Sequence, residues 1–359
     1  MPARGRRLRV GILFGGQSAE HEVSVVSAQG VMHAMDLARF QPVPIGVTRQ
    51  GTWLTPAQTE QALARIRMEQ IRSLDEPLGG GILYRTQALG ALRRVDVVFP
   101  LTHGTNGEDG TLQGFLELAG VPYVGAGVAA SAIGMDKALQ KTIFRQHGLL
   151  VPDDLVVLAS EWRRDRLAVT RAAEAAIGYP CFVKPANGGS SIGTSRAASR
   201  EDLDDALAEA FRYDRKVLVE RSIESRQVET AVLGNDEPQA SPVGEITFRG
   251  EFYDYRAKYD DPSTQLHIPA DIPPQTSDEI HDMAVAAYRA IDCAGLARVD
   301  FFLTPDGTVY LNEVNTIPGF TPRSMYPKLW EHAGLSYRDL ITRLIELALQ
   351  RHQEKRRAF

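Results

Sequence analysis

The sequence predicts an α/β and α+β chain of several domains that opens with a parallel-sheet domain. Three observations carry this. The first third alternates short apolar runs with helical stretches, the rhythm of βαβ units in an open, mostly parallel sheet. Further on, two apolar runs flank a Thr-Pro-Asp-Gly turn, the mark of an antiparallel hairpin. A length of 359 residues is also more than one hydrophobic core usually serves, so two or three domains are expected.

The elements follow in order. Leu8–Phe14 is a largely apolar run ended by glycine, as for a buried parallel strand. Ser18 can cap a helix whose first turn holds Glu20 and Glu22. Val95–Leu101 is a second strand, Thr111–Leu118 a short helix stopped by Gly120, and Val121–Val124 a third short strand. Between them, Gly79-Gly80-Gly81 reads as a surface turn without function. A helix runs from Asp136 to about His147, where Gly148 and then Pro152 end it. Tyr179–Lys184 is a strand, and Ala186–Gly193 a loop dense in Gly, Ser and Asn. Lys216–Glu220 is an apolar strand ending in an acid. Val228–Leu233 and Val243–Phe248 read as two more. Gly250–Pro274 has no period and is too long for a simple connection, which marks a functional lid. A helix over Ser277–Ile291 precedes the hairpin of Ala297–Leu303 and Val309–Val314. Tyr337–Gln350 is an amphipathic helix that should pack against the body. There is no internal repeat or low-complexity tract.

Composition narrows the function classes. Hydrophobic residues make up 43% and charged residues 24%, ordinary for a soluble globular protein. Forty Lys and Arg against 45 Asp and Glu give a formal net charge of −5, so no nucleic-acid or membrane-surface partner is expected. Any anionic substrate must be held by local groups. The basic run Arg4, Arg6, Arg7, Arg9 leads into an apolar stretch, Val10–Phe14, too short for a signal peptide. No segment approaches the ~20 apolar residues of a membrane span. Cys181 and Cys293 lie far apart and read as buried thiols, which points to a reducing cytoplasm.

The chemistry gathers in a few segments. In Lys184–Gly193 a lysine at a strand end is followed by small residues, Ser190 and Ser191 among them. Their amides and hydroxyls can approach an oxyanion closely, which suits polyphosphate. The lysine precedes the glycines, so this is not a Walker loop. On the hairpin, Arg298 and Asp300 are two apart and share a face, as do Glu313 and Asn315. If the connection has an even number of residues, Arg298 falls opposite Glu313 and all four share one face. Val299, Phe301 and Val314 then face the core. Three oxygen ligands on one face suit a hard cation, magnesium best; the plainer reading is a ladder of surface ion pairs. Thr316-Ile317-Pro318-Gly319 follows at once, a turn able to reach a second substrate. Four lysines, Lys137, Lys141, Lys184 and Lys258, are candidates for anion contact; Lys184 and Lys258 stand out beside the two loops, and Lys141, one helical turn from Lys137, should be exposed. His103–Gly110 and Gly15–Glu22 each follow a strand of the parallel sheet, where loops face the ligand crevice.

Together these segments resemble the D-alanine–D-alanine ligases. The matching motifs occur in order: Gly15–Ser24, His103–Gly110, Met135-Asp136-Lys137, Lys184–Gly193, Tyr253–Tyr255 with Ala257–Tyr259, Arg298–Asp300, and Glu313–Thr316 with Pro318-Gly319. The resemblance implies a three-domain ATP-grasp architecture, with boundaries near 1–133, 134–224 and 225–359, and ATP gripped between the last two. It implies two magnesium ions, with manganese as substitute, on Asp300, Glu313 and Asn315. Lys137, Lys184 and Lys258 would lie near the phosphates. Glu220 and the Ile223 backbone would read adenine, and Glu229 the ribose. Glu20 would hold the first D-alanine's ammonium within a network including Ser190 and Tyr259. Arg298 and the Gly319 amide would form an oxyanion hole, and Ser324 and Met325 would receive the second D-alanine's carboxylate. A cytoplasmic homodimer is implied as well. Two departures stand out: Arg256 replaces an acid, and Met325 a leucine. Tyr259 matches members that accept D-alanine. Another ATP-grasp carboxylate–amine or D-alanine–D-lactate ligase is the competing enzyme. A non-catalytic nucleotide sensor would lack a metal ligand or oxyanion group, and all are present.

Overall fold

The computed structural model describes residues 6–69, 90–248 and 263–357. β1 (Leu8–Gly15) runs between β2 (Phe40–Val47) and β3 (Val97–Pro100) in a parallel sheet of order β2-β1-β3. Its near-continuous apolar sequence follows from cover on both faces. On one side Val10, Ile12 and Phe14 pack with Val25, Ala28 and Val31 of the helix His21–Ala34 and with Leu340, Ile341 and Leu344 of the helix Tyr337–Arg357. On the other, Leu13 packs with Trp53, Val98, Leu112 and Leu116.

A second sheet contains β4 (Asp154–Leu158), β5 (Cys181–Pro185), β6 (Ser195–Ala197) and β7 (Lys216–Arg221) in the order β4-β7-β5-β6, antiparallel throughout. Helices Arg166–Ala176 and Arg200–Ala210 cover it, with Ala173, Leu203 and Leu207 against Val183, Val217 and Val219. The helix Lys137–Gln146 enters this region, with the Asp136 side chain accepting from the amides of Ala138 and Leu139.

The third sheet holds β8 (Arg226–Gly234), β9 (Gln239–Ala240), β10 (Gly244–Thr247), β11 (Gln265–His267), β12 (Gly295–Leu303) and β13 (Val309–Asn315). Its order is β11-β10-β8-β12-β13, with β9 on β8. The helix Pro274–Ala290 backs it through Ile280, Ala284 and Tyr288, against Val299, Phe301 and Val314. The mixed α/β and α+β class expected from sequence is the one observed.

Several boundaries differ from expectation. Ser18 does not cap the first helix, which starts at His21; the Ser18 hydroxyl accepts from the Glu20 amide at 3.1 Å instead. Val121–Val124 contributes only an isolated bridge, Tyr123 to Val98. The helix expected from Ser277 begins at Pro274, a residue favoured in a first turn because it needs no amide partner. The last helix continues past Gln350 to Arg357. There Arg351 donates to the carbonyls of Tyr123 and Gly125, and Lys355 pairs with Glu117 at 2.7 Å. Cys181 and Cys293 are free and buried as expected. No described helix is long and apolar enough to cross a membrane. Gly79–Gly81 and most of the expected lid, including Lys258 and Tyr259, lie outside the described residues.

Candidate active site

The second and third sheets, with loops and a helix of the first domain, form one cleft of about 1590 Å³. Every expected site residue within the described segments borders it: Glu20, Lys137, Lys184, Ser190, Ser191, Glu220, Ile223, Glu229, Arg298, Asp300, Glu313, Asn315, Gly319 and Ser324.

The hairpin forms the chemical floor. Arg298 lies opposite Asn315 and Asp300 opposite Glu313, so the expected pairing of Arg298 with Glu313 is off by one pair. The cause is a bulge. Leu303 pairs with Val309, leaving five residues between them. Carried straight on, that register would set Val314 opposite Arg298 and turn Glu313 into the core. The irregularity after Asp300 inserts Asn312 as an extra residue, and β13 accordingly shows two successive half-buried positions, Asn312 and Glu313. All four polar side chains then share the cleft face, while Val299, Phe301 and Val314 are at most 1% exposed.

Ion pairs tie this face together. Arg298 grips Asp300 through two bonds of 2.7 and 2.8 Å, and its Nε is 2.9 Å from Glu229 Oε2. Asn315 donates to Asp300 at 2.9 Å. Lys137, at the first position of its helix, is 3.3 Å from Glu313 and donates to the Gly188 carbonyl at 2.8 Å. No cluster of three or more His, Cys, Asp or Glu side chains suited to a metal occurs among the described residues. Two carboxylates and one amide are nevertheless the protein share expected for magnesium, whose remaining ligands are water and phosphate oxygens.

The glycine-rich loop joins β5 to β6 within the second sheet and reaches toward the segment that follows β1. Ser190 (φ 51°) and Ser191 (φ 58°) both sit in the left-handed region, which costs a side chain roughly 1–3 kcal/mol and is held only where surroundings enforce it. Ser190, 8% exposed, donates to Glu20 at 2.6 Å and so ties the loop to the start of the helix His21–Ala34. Gly193 (φ +71°) could carry no side chain, since a Cβ would lie 2.6 Å from the Tyr213 ring. Beside the loop, Lys184 is 5.8 and 5.9 Å from the rings of Phe182 and Phe302.

Lys141 corrects the expectation most. Predicted exposed, it is 2% exposed and bonds Glu220 and the Pro152 carbonyl. Glu220 accepts from both Lys141 and Lys184. Burial alone would raise its pKa, but the two lysines outweigh it and hold the carboxyl down at about 2. Glu108 was within a loop singled out from sequence yet not itself proposed. Burial first, and the charge of Glu20 second, push it up to about 8; its place after a parallel strand, facing the Glu20 loop, was the available signal. Phe302 was legible too, two residues from Asp300 on the same strand face. On the far wall, Ser324 begins the helix Met325–His332, and its hydroxyl accepts from the Thr321 amide at 3.0 Å.

Two antiparallel sheets facing each other across a lysine- and carboxylate-lined cleft, with an α/β domain against its mouth, define the ATP-grasp class. The family model for the N-terminus of D-ala D-ala ligases matches residues 9–126, and that for the C-terminus residues 143–346. Over 354 residues the chain is 50% identical to a D-alanine–D-alanine ligase of Geobacillus thermodenitrificans, covering 97% of both chains. It is 47% identical over 352 residues to that of Bacillus pumilus, covering 97% of this chain and 98% of the relative. Among solved structures, the D-alanine–D-alanine ligase from Coxiella burnetii aligns with TM-score 0.80 and 36% identity, covering 98% of this chain and 97% of that one. The VanG D-Ala:D-Ser ligase from Enterococcus faecalis aligns with TM-score 0.79 and 35% identity over 96% and 100%. The chain belongs to the D-alanine–D-alanine ligase family.

Proposed function

We propose that this protein joins two D-alanine molecules to D-alanyl-D-alanine with ATP, giving ADP and phosphate, for peptidoglycan precursor synthesis. The observation that carries the reading is the hairpin face, where Arg298, Asp300, Glu313 and Asn315 stand together opposite the bridged pair Glu20–Ser190.

A carboxylate is a poor acyl donor. Transfer of the γ-phosphoryl group to a carboxylate oxygen of the first D-alanine makes an acyl phosphate. The amine of the second attacks its carbonyl carbon, and phosphate leaves as the amide forms. Glu20, fixed by Ser190, holds the ammonium of the first D-alanine. Lys137 and Lys184 leave their carboxylate partners to meet phosphate oxygens, and Lys258 joins them. Ser191 adds a hydroxyl from the loop, and Glu220 with the Ile223 backbone reads adenine. Asp300, Glu313 and Asn315 would hold magnesium, which when bound offsets charge on the phosphoryl group. Arg298 and the Gly319 amide stabilise the oxyanion of the tetrahedral intermediate. Ser324 and Met325 receive the carboxylate of the second D-alanine. Tyr259 is assigned by the resemblance to the network of Glu20 and Ser190, and water must be kept from the acyl phosphate for the amine to react. A homodimer remains the expectation from the resemblance, and buried free thiols fit a cytoplasmic setting.

The test is phosphate release from Mg-ATP with D-alanine, D-serine or D-lactate beside it, products read by mass spectrometry, for wild type and Arg298→Ala. D-Alanyl-D-alanine as main product, with turnover cut about 10²–10³-fold in the variant while ATP still binds, supports the reading. A mixed dipeptide or depsipeptide as main product, or unchanged turnover in Arg298→Ala, overturns it.

A further inference from the structure

We infer that Glu229 is a positioning residue, which anchors the Arg298 guanidinium from β8 so that Arg298 keeps its place when a cation draws on Asp300. The inference rests on the reaction proposed above and deepens it.

Glu229 lies opposite Asp300 in the β8–β12 register, so the two carboxylates point to one side of the sheet with Arg298 beside them. Glu229 Oε2 is 2.9 Å from Arg298 Nε, and Asp300 Oδ1 is 2.7 Å from the same nitrogen. Arg298 is therefore held by two acids. They differ in what else they serve. Asp300 also accepts from Asn315 and stands across from Glu313, among the cation ligands. An oxygen that ligates a cation has less electron density to offer a guanidinium, and its side chain turns to suit the ligand shell. Glu229 stands on β8, outside the hairpin that carries the cation ligands.

Burial points the same way. The Glu229 side chain is 5% exposed, against 16% for Arg298 and 14% for Asp300. Glu229 and Arg298 both border the cleft, and Arg298 is the more exposed of the two. A carboxylate so buried is tolerated only beside a cation, and here that cation is the one that must face the oxyanion. A ribose contact, the role the resemblance implies for Glu229, would instead need its oxygens in the open cleft. A guanidinium free to swing by an ångström would lose much of its stabilisation of the developing charge, since such donors act through fixed placement.

The experiment compares wild type, Glu229→Gln, Arg298→Lys and the double variant. It measures kcat, KM for ATP and for the amino acid, and relative use of ATP and 2′-deoxy-ATP. Loss of one partner of this largely buried ion pair predicts that Glu229→Gln lowers kcat by about tenfold or more. KM for ATP and the preference over 2′-deoxy-ATP stay as in wild type. In the Arg298→Lys background the same substitution has a far smaller effect, because the anchored group is already altered. Should Glu229→Gln fold poorly, Glu229→Asp keeps the charge on a shorter arm and is expected to retain more kcat than Gln at equal KM for ATP. Unchanged kcat, a raised KM for ATP with lost discrimination against 2′-deoxy-ATP, or effects of the two substitutions that simply multiply would each overturn the inference. The ratios are read on whichever substrates wild type turns over, so a wrong substrate assignment leaves this test standing.

Discussion

Replacing Lys141 with methionine keeps the length of the side chain but removes a buried charge, and its cost can be worked from Glu220. That carboxyl is 2% exposed. Its pKa moves from 4.5 to about 2, burial opposing and Lys141 and Lys184 together prevailing. The shift corresponds to about 3–4 kcal/mol at roughly 1.4 kcal/mol per unit, shared between the two lysines. Independently, removing one partner of a buried ion pair costs about 3–5 kcal/mol. Lys141→Met should therefore destabilise the protein by about 3 kcal/mol at neutral pH. The pH dependence has a definite sign. Because the folded-state pKa of Glu220 is depressed, its contribution is present above pH 4.5 and is lost as pH falls toward 2. The difference between wild type and variant should shrink in that window. Adding Glu220→Gln to Lys141→Met should recover part of the loss, since no buried carboxylate held by Lys184 alone remains. The assay is urea denaturation followed by tryptophan fluorescence, for which Trp162 in the core of the same sheet is a local probe. A loss below about 1 kcal/mol, within the range of an exposed pair, or a double variant less stable than the single, would refute the reasoning.

Other outcomes follow from the site. Ser190→Ala removes the 2.6 Å bond that holds Glu20; KM for D-alanine should rise about tenfold or more, as for a lost charged hydrogen bond, with KM for ATP unchanged in the phosphate-release assay. Glu108, pushed up to about 8 by burial and by Glu20, binds a proton in the folded state that the unfolded chain releases above its ordinary value of 4.5. Ligand-free stability should thus fall as pH rises from 4.5 to 8, and Glu108→Gln should flatten that slope in melting curves. Chelation with EDTA should stop turnover, and added magnesium or manganese should restore it; full activity in the metal-free enzyme would count against the role given to Asp300, Glu313 and Asn315.

Much of the site was legible because its parts are local. The Lys184–Gly193 loop and the Asp300, Glu313 and Asn315 pattern are spacings within one or two strands, where a period of two decides which side chains share a face. Strand existence was equally plain for β1, β7 and β12, whose apolar runs are long enough to stand out. Short elements were not. β2, with Pro42 and Pro44, and the helix Val128–Met135 carry weak periodic signals and acquire their form from neighbours in the parallel sheet and the hairpin.

The sequence by itself determined the class of fold and the family to which the chain belongs, since each is carried by motifs whose residues lie near one another along the chain. Only the tertiary structure decided three further points. The bulge at Asn312 set which residues of β12 and β13 face each other, because register depends on the whole ladder and not on the turn alone. Lys141 became buried because Glu220, 79 residues away, supplies the charge that makes its burial tolerable. Glu229 came to rest against Arg298 because β8 pairs with β12 across a long connection, and no local spacing carries the energy of a contact made only when distant strands meet.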